Sequence, residues 1–166
     1  MRGCTRGCRF CHAGSWYRPV RERPAEKVVE AGLAALDCTG YDELSLTSLA
    51  TSDYTDIDAA ITGIKEQFPG LHLSLPSNRV DTGPVAMSAA ANVRQASITI
   101  APEAATQRMR NIICKTIDDE MIEGAVRAAF EQGYTSLKTY FMIGLPGETH
   151  DEVQAIVDFG ARARQI

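Results

Sequence analysis

Leu71-His72-Leu73-Ser74-Leu75 alternates apolar and polar side chains residue by residue, and Leu44-Ser45-Leu46-Thr47 and Ser97-Ile98-Thr99-Ile100 do the same. Alternation of period two is the mark of a β-strand with one face buried. Between these runs apolar residues recur at helical spacing. Val29, Leu33 and Leu36 predict a helix over 24–36, with Pro24 at its first position and Gly40 beyond its end. Ile57, Ile61, Ile64 and Phe68 predict a second over 56–68, opened by a capping-box-like Thr55-x-x-Asp58. Further helices are expected over 85–93, 104–112 and 118–131, and one opened by Thr149-x-x-Glu152. Strands are expected over 43–47, 71–75, 97–101 and 136–143.

Strand–helix alternation of this kind indicates a parallel sheet with crossover helices. A doubly wound parallel sheet is covered on both faces, and its strands read as continuously apolar. Here every strand keeps one polar face. A curved sheet meets that demand: the convex face packs on helices and the concave face lines a cavity fit for a polar cofactor. The expected fold is therefore α/β, an open partial barrel.

With 166 residues, 45% of them hydrophobic and 23% charged, the chain has the size and composition of one globular domain. No apolar run approaches the ~20 residues that cross a bilayer, and no membrane role is expected. The net charge of −4 gives no indication of a general nucleic-acid binder, although a local patch such as Arg18, Arg21 and Arg23 leaves RNA open. Five cysteines, three of them in one short run, do not read as a disulfide framework. A reducing, cytoplasmic setting is expected.

That run is Met1-Arg-Gly-Cys4-Thr-Arg-Gly-Cys8-Arg-Phe10-Cys11-His12. Three thiolates at Cys-x3-Cys-x2-Cys spacing in a Gly/Arg-rich loop converge on one site. A structural zinc wants four protein ligands. A cubane cluster has four irons, so three cysteines leave one iron open to a small molecule. The alternative is a non-catalytic metal module, with zinc completed by His12. A dithiol redox motif at Cys8-x-x-Cys11 would leave Cys4 unexplained and lies well before the first expected helix, at 24–36.

Cys-x3-Cys-x-aromatic-Cys, with Phe10 as the aromatic, resembles the signature of the radical S-adenosylmethionine (SAM) superfamily. The resemblance implies that Cys4, Cys8 and Cys11 hold a 4Fe–4S cluster and that SAM chelates the open iron. SAM is then cleaved to a 5′-deoxyadenosyl radical that takes hydrogen from a substrate. It also implies a partial (β/α)6 TIM-like barrel and a low-potential electron donor such as flavodoxin or ferredoxin. Only three residues precede Cys4, and four strands follow the loop where the family has five, so residues 1–166 are expected to be an incomplete core, truncated at both ends. Ser74-Leu-Pro-Ser77, Ala101-Pro-Glu-Ala104 and Gly144-Leu-Pro-Gly-Glu-Thr149 look closest to a poorly characterised group in which a cobalamin-binding-like domain precedes the radical SAM core. The group looks distantly like the tRNA methylthiotransferases, but no ligands for their second cluster are seen.

Ligands of parallel α/β folds bind at the carboxyl ends of strands, and the resemblance places SAM there. Thr51-Ser52-Asp53 stands where the family often has Gly-Gly-Glu, and Asp53 is a candidate for the SAM ammonium. Ser77 and Arg79 are candidates for its sugar or carboxylate, Glu103 for the ribose hydroxyls, and Arg108 for the carboxylate. Backbone at Ile143, Gly144 and Leu145 is expected against adenine, with Phe10 on the other side. Lys138 and Tyr140 are weaker candidates for the cavity wall. Cys38 and Cys114 are expected to be small buried hydrophobes.

Overall fold

The structure is a computed structural model, and it describes residues 1–76, 79–80 and 97–166. Ser77 and the helix expected over 85–93 lie outside the described residues. The elements are α1 (Ala13–Trp16), α2 (Ala25–Thr39), β1 (Glu43–Ser45), a single 3-10 turn (Thr51–Asp53), α3 (Ile57–Gln67), β2 (His72–Ser74), β3 (Ile98–Glu103), α4 (Gln107–Ile112), α5 (Asp119–Glu131), β4 (Leu137–Phe141) and α6 (His150–Ala163).

The strands pair in parallel. β1 lies on β2 with Leu44 opposite Leu73, and Leu46 N–H donates to the Ser74 carbonyl at 3.0 Å. β3 lies on β4 with Ile100 opposite Thr139. Each pair is bridged by helix, α3 in the first and α4–α5 in the second, so the α/β alternation expected from sequence is present. The alternation of faces is present too. In β3, Ile98 and Ile100 are buried while Thr99 is exposed, and in β2 Leu73 is buried while His72 is exposed. In β4 Lys138 and Tyr140 are both exposed, the ammonium 5.0 Å from the ring centroid.

The buried faces meet the helices. Leu73 packs with Tyr54, Ile57, Ala60 and Ile61 on one side of the molecule. Ile98 and Ile100 pack with Ile122, Val126, Ala129 and Phe159 on the other, where the Phe141 ring meets Phe159 edge-on at 5.2 Å.

Several boundaries differ from expectation. Pro24 caps α2 instead of occupying its first turn, and the helix runs on to Thr39 before Gly40, at φ 70°, ends it in the left-handed conformation that a side chain disfavours. Asp56, not Thr55, caps α3, and it does so without a side-chain hydrogen bond. Thr55 N–H instead donates to Glu22 Oε1 at 3.1 Å, so the box read at 55–58 does not form. β3 continues past Ala101 to Glu103, across a register irregularity between Ile100 and Glu103. Thr106 and Asp118 open α4 and α5 as true caps, accepting from the backbone N–H of Met109 and Met121. Thr149 and Glu152 form the capping box expected for α6.

Candidate functional site

The cysteine loop is held by a glycine turn and two arginines. Gly3 takes φ 95°, and a Cβ there would run into the Tyr17 carbonyl, so only glycine fits. The Arg18 guanidinium ties the loop down, its Nε donating to the Gly14 carbonyl at 2.5 Å and its Nη2 to the Arg6 carbonyl at 3.3 Å. Arg9 anchors the loop to the far half of the chain. Its N–H reaches the Ile113 carbonyl at 2.9 Å and its Nη1 the Ile112 carbonyl at 2.8 Å. Cys4, Cys8 and Cys11 are all free thiols and half-buried. Burial pushes the Cys8 thiol up from its ordinary pKa, while the nearby Lys115 ammonium pulls it down.

All three cysteines border one cavity of about 250 Å³. Phe10, Arg79, Glu103 and Lys115 line it with them, and Leu49, Ala50, Ala101 and Ile117 form its apolar parts. Glu103 and Lys115 face each other at 3.6 Å, both side chains largely buried. Glu103 sits at φ 69° and Cys114 at φ 54°. Left-handed backbone at non-glycine residues costs about 1–2 kcal/mol each, and such strain concentrates where a fold must aim a side chain at a site. Here it brackets the segment that presents Glu103 and Lys115.

Buried Arg110 holds that segment. Its side chain is fully enclosed, with Nε on the Ile117 carbonyl, Nη1 on the Ala104 and Ala105 carbonyls, and Nη2 on Gln107 Oε1, all at 3.1 Å. Nη2 also reaches Asp119 Oδ1 at 2.5 Å. One guanidinium thus serves three carbonyls at a helix–loop junction, of which Ile117 also accepts from Gln107 Nε2 at 3.3 Å.

The structure separates the remaining candidates. Asp53 faces two guanidiniums, Arg79 at 3.3 Å and Arg6 at 4.0 Å. Ser52 Oγ accepts the Arg79 N–H at 3.0 Å. Thr51 is buried, its hydroxyl on the Leu46 carbonyl at 3.2 Å. Arg108 does not line the cavity. It binds Glu152 through Nε to Oε1 at 2.9 Å and Nη2 to Oε2 at 2.5 Å, and Nη2 also donates to the Gly147 carbonyl at 2.7 Å. That grip, with a backbone bond from Thr149 and a side-chain bond from Thr106, holds the Glu152 carboxyl down at about 2. Ile143, Gly144 and Leu145 also lie off the described lining. Ile143 is exposed, Gly144 N–H donates to Glu148 Oε2 at 2.6 Å, and Leu145 packs near Met109 and Ile113. Cys38 is exposed rather than buried, because α2 continues over it and turns it outward; Cys114 is half-buried.

Lys115 and Arg6 were not singled out from sequence. Arg6 lies between Cys4 and Cys8, and its place in that motif was the signal available; Lys115 has no periodic or motif signal and reaches the cavity only because its loop folds back.

The donor set discriminates between metal groups. His12 stacks near Trp16, ring centroids 5.2 Å apart, and does not line the cavity. Among the described residues no three His, Cys, Asp or Glu side chains gather closely enough for a single ion. A cubane asks for less convergence, since each thiolate binds a different iron. Three free thiols spread around one partly apolar cavity fit that group.

Comparison with known proteins agrees with this reading. Residues 1–160 match the Radical SAM superfamily, and the chain belongs to that family, which implies a 4Fe–4S cluster and SAM. It is 29% identical over 164 residues to "Uncharacterized protein MJ0966" of Methanocaldococcus jannaschii, covering 99% of this chain and 36% of that one. The chain therefore spans about a third of the curated relative it matches. The fold is similar to that of methylornithine synthase (PylB), with TM-score 0.62 at 16% identity over 97% of this chain and 48% of that one. It is equally similar to OxsB, a cobalamin-dependent S-adenosylmethionine radical enzyme, with TM-score 0.64 at 17% identity over 95% of this chain and 25% of that one. Among the described residues no helix is long and apolar enough to cross a membrane.

Proposed function

We propose that residues 1–166 are a radical SAM core, part of a (β/α)6 barrel, in which Cys4, Cys8 and Cys11 hold a 4Fe–4S cluster at the mouth of the cavity. The cluster with SAM supplies the one-electron cleavage that yields methionine and a 5′-deoxyadenosyl radical for hydrogen abstraction. The chain's own residues position and shield. Glu103 accepts hydrogen bonds from ribose hydroxyls. Lys115 neutralises Glu103 and offers a cation to the SAM carboxylate, a role for which Arg79 is also placed. Asp53 stands behind the lining residues Arg79 and Arg6 and is paired with both; it is the proposed acceptor for the SAM ammonium, which would have to compete with those guanidiniums. Phe10, Leu49 and Ile117 give the cavity apolar wall and exclude water from a radical. The substrate is open, a low-potential electron donor is required, and the setting is cytoplasmic.

The observation that carries this reading is the gathering of three free cysteines, Phe10, Glu103 and Lys115 around one cavity in a chain of this family. The test is anaerobic reconstitution with iron and sulfide, followed by electron paramagnetic resonance of the reduced cluster. A 4Fe–4S signal that shifts on adding SAM supports it. A cluster indifferent to SAM, or zinc bound without sulfide, overturns it.

A further inference from the structure

Reduction puts one more negative charge on whatever the three thiolates hold, so the charges fixed around it govern how readily the electron is accepted. Among the described residues the cavity lining carries three cations, Arg6, Arg79 and Lys115, and one carboxylate, Glu103. Asp53 answers the two guanidiniums, at 4.0 Å from Arg6 and 3.3 Å from Arg79. Glu103 answers Lys115 at 3.6 Å, and the lysine side chain is only 17% exposed. An ion pair cancels at long range, but a close neighbour inside a protein feels the nearer of its two charges more. At Cys8 burial is the largest influence and raises the thiol pKa. Of the charges, Lys115 acts most strongly and lowers it, ahead of Cys11, Cys4 and Arg79, and Glu103 is not one of them.

The backbone brings the ammonium to this place. Lys115 N–H donates to the Arg110 carbonyl at 2.8 Å, and Ile117 N–H donates to the Lys115 carbonyl at 2.9 Å. Arg9, next to Cys8 in sequence, ties the cysteine loop to the residues just before the lysine. Its N–H donates to the Ile113 carbonyl at 2.9 Å and its Nη1 to the Ile112 carbonyl at 2.8 Å. The cysteine loop and the lysine segment are thus fastened to each other across 103 residues of chain. Charges held by such contacts just outside the ligands tune what the ligands hold.

Resting on the cluster reading above, we propose that Lys115 is a positioning residue that acts through its charge, a fixed cation on the Cys8 side of the cavity that raises the reduction potential of the cluster. The electron comes from a low-potential one-electron donor, which is oxidised by one as the cluster is reduced by one. No bond forms or breaks, and no proton moves. This role is separate from receiving the SAM carboxylate, because it operates in the absence of SAM.

The experiment uses the whole chain with its cluster reconstituted and no SAM. The midpoint potential is read by electron paramagnetic resonance of samples poised with dithionite, in the native chain and in Lys115→Met, Lys115→Arg and Glu103→Gln. Lys115→Met keeps the length of the side chain and removes its charge. It is expected to lower the midpoint by about 59 mV or more, a tenfold loss in the one-electron equilibrium. Lys115→Arg keeps the charge and should stay closer to the native value than to the methionine variant. Glu103→Gln removes the opposing carboxylate, and its midpoint should lie at or above the native value, which a mere loss of packing would not produce. An unchanged midpoint in Lys115→Met, or a fall of the same size in Lys115→Arg or Glu103→Gln, overturns the inference while leaving the cluster reading intact. Should Lys115→Met take up no cluster, Lys115→Gln supplies the neutral side chain. Loss of the cluster from both overturns the inference, since the lysine would then serve assembly. A native chain that takes up no reducible 4Fe–4S cluster overturns the cluster reading, and this inference with it.

Discussion

The cysteine loop, residues 1–23, and the segment 103–119 meet across the same cavity and are supported in opposite ways. The loop has one helix, the four residues of α1, and is held by a bridge to Arg21 and a few carbonyl contacts. Its cysteines remain half-buried. The facing segment is locked: Arg110 is fully enclosed with five hydrogen bonds, Asp118 and Thr106 cap their helices, and strained backbone at Glu103 and Cys114 is paid for by that network. The difference teaches where binding free energy is spent. The side that would meet an organic cofactor is organised in advance, as selective hydrogen bonding requires. The side that would meet the metal leaves part of its ordering to metal–thiolate bonds, which couple binding to local folding.

The sharpest way to break this contrast is at the loop. Cys8→Ala is expected to abolish stable cluster assembly and SAM cleavage, read as iron and sulfide per chain and as released 5′-deoxyadenosine. In the native chain, cluster loading should slow tryptic cutting after Arg6 and Arg9 by about tenfold or more, with no comparable change after Arg110. Equal protection at both places would erase the distinction between the two regions.

Next in size is Arg110→Ala. Removing a buried guanidinium takes the side-chain donor from the Ala104 and Ala105 carbonyls and leaves Ile117 with Gln107 Nε2 alone, at a cost of about 3–5 kcal/mol, read from urea unfolding. A loss under 1 kcal/mol would mean the segment is not locked as described.

Smaller and dependent on pH is the Arg108–Glu152 pair, which fastens α4 to the Gly147 loop. The Glu152 carboxyl is lowered from 4.5 to about 2, chiefly by Arg108. A carboxyl depressed in the folded state stabilises fully above its unfolded value and loses that contribution as pH falls through its folded value. Native stability should therefore decline between pH 4.5 and 2, and Glu152→Gln should flatten that part of the profile while lowering stability at neutral pH. An identical acid limb in the variant would assign the decline to other groups.

The smallest effect is expected far from the cavity. Gly40→Ala meets no neighbour within 4 Å but keeps φ 70°, so it should cost about 1 kcal/mol from backbone strain alone. It should leave cluster content untouched.

Much of this molecule could be read from sequence because the signals are local. Leu44, Leu73, Ile98 and Ile100 alternate with polar neighbours, and period two survives any tertiary arrangement. The Thr149–Glu152 box spans a single helical turn, so its residue types suffice to specify it. Thr55 and Asp56 show the limit. Both types cap helices; α3 starts after Asp56, and the Thr55 N–H donates to Glu22 Oε1, thirty-three residues away in sequence, a contact that no local signal announces. β3 ran past its expected end for a similar reason. Pairing with β4 carries the strand through an irregularity to Glu103, and no propensity announces a partner strand.

For this protein the sequence alone determined the α/β alternation, the half-polar strands and the three-cysteine spacing, since each depends on residues a few positions apart. Tertiary structure decided what those residues face. It brought Lys115 to Glu103, turned Arg79 and Arg6 onto Asp53, and drew Arg108 to Glu152 across 44 residues. Charges choose partners by distance in space, and that distance exists only once the apolar faces have packed.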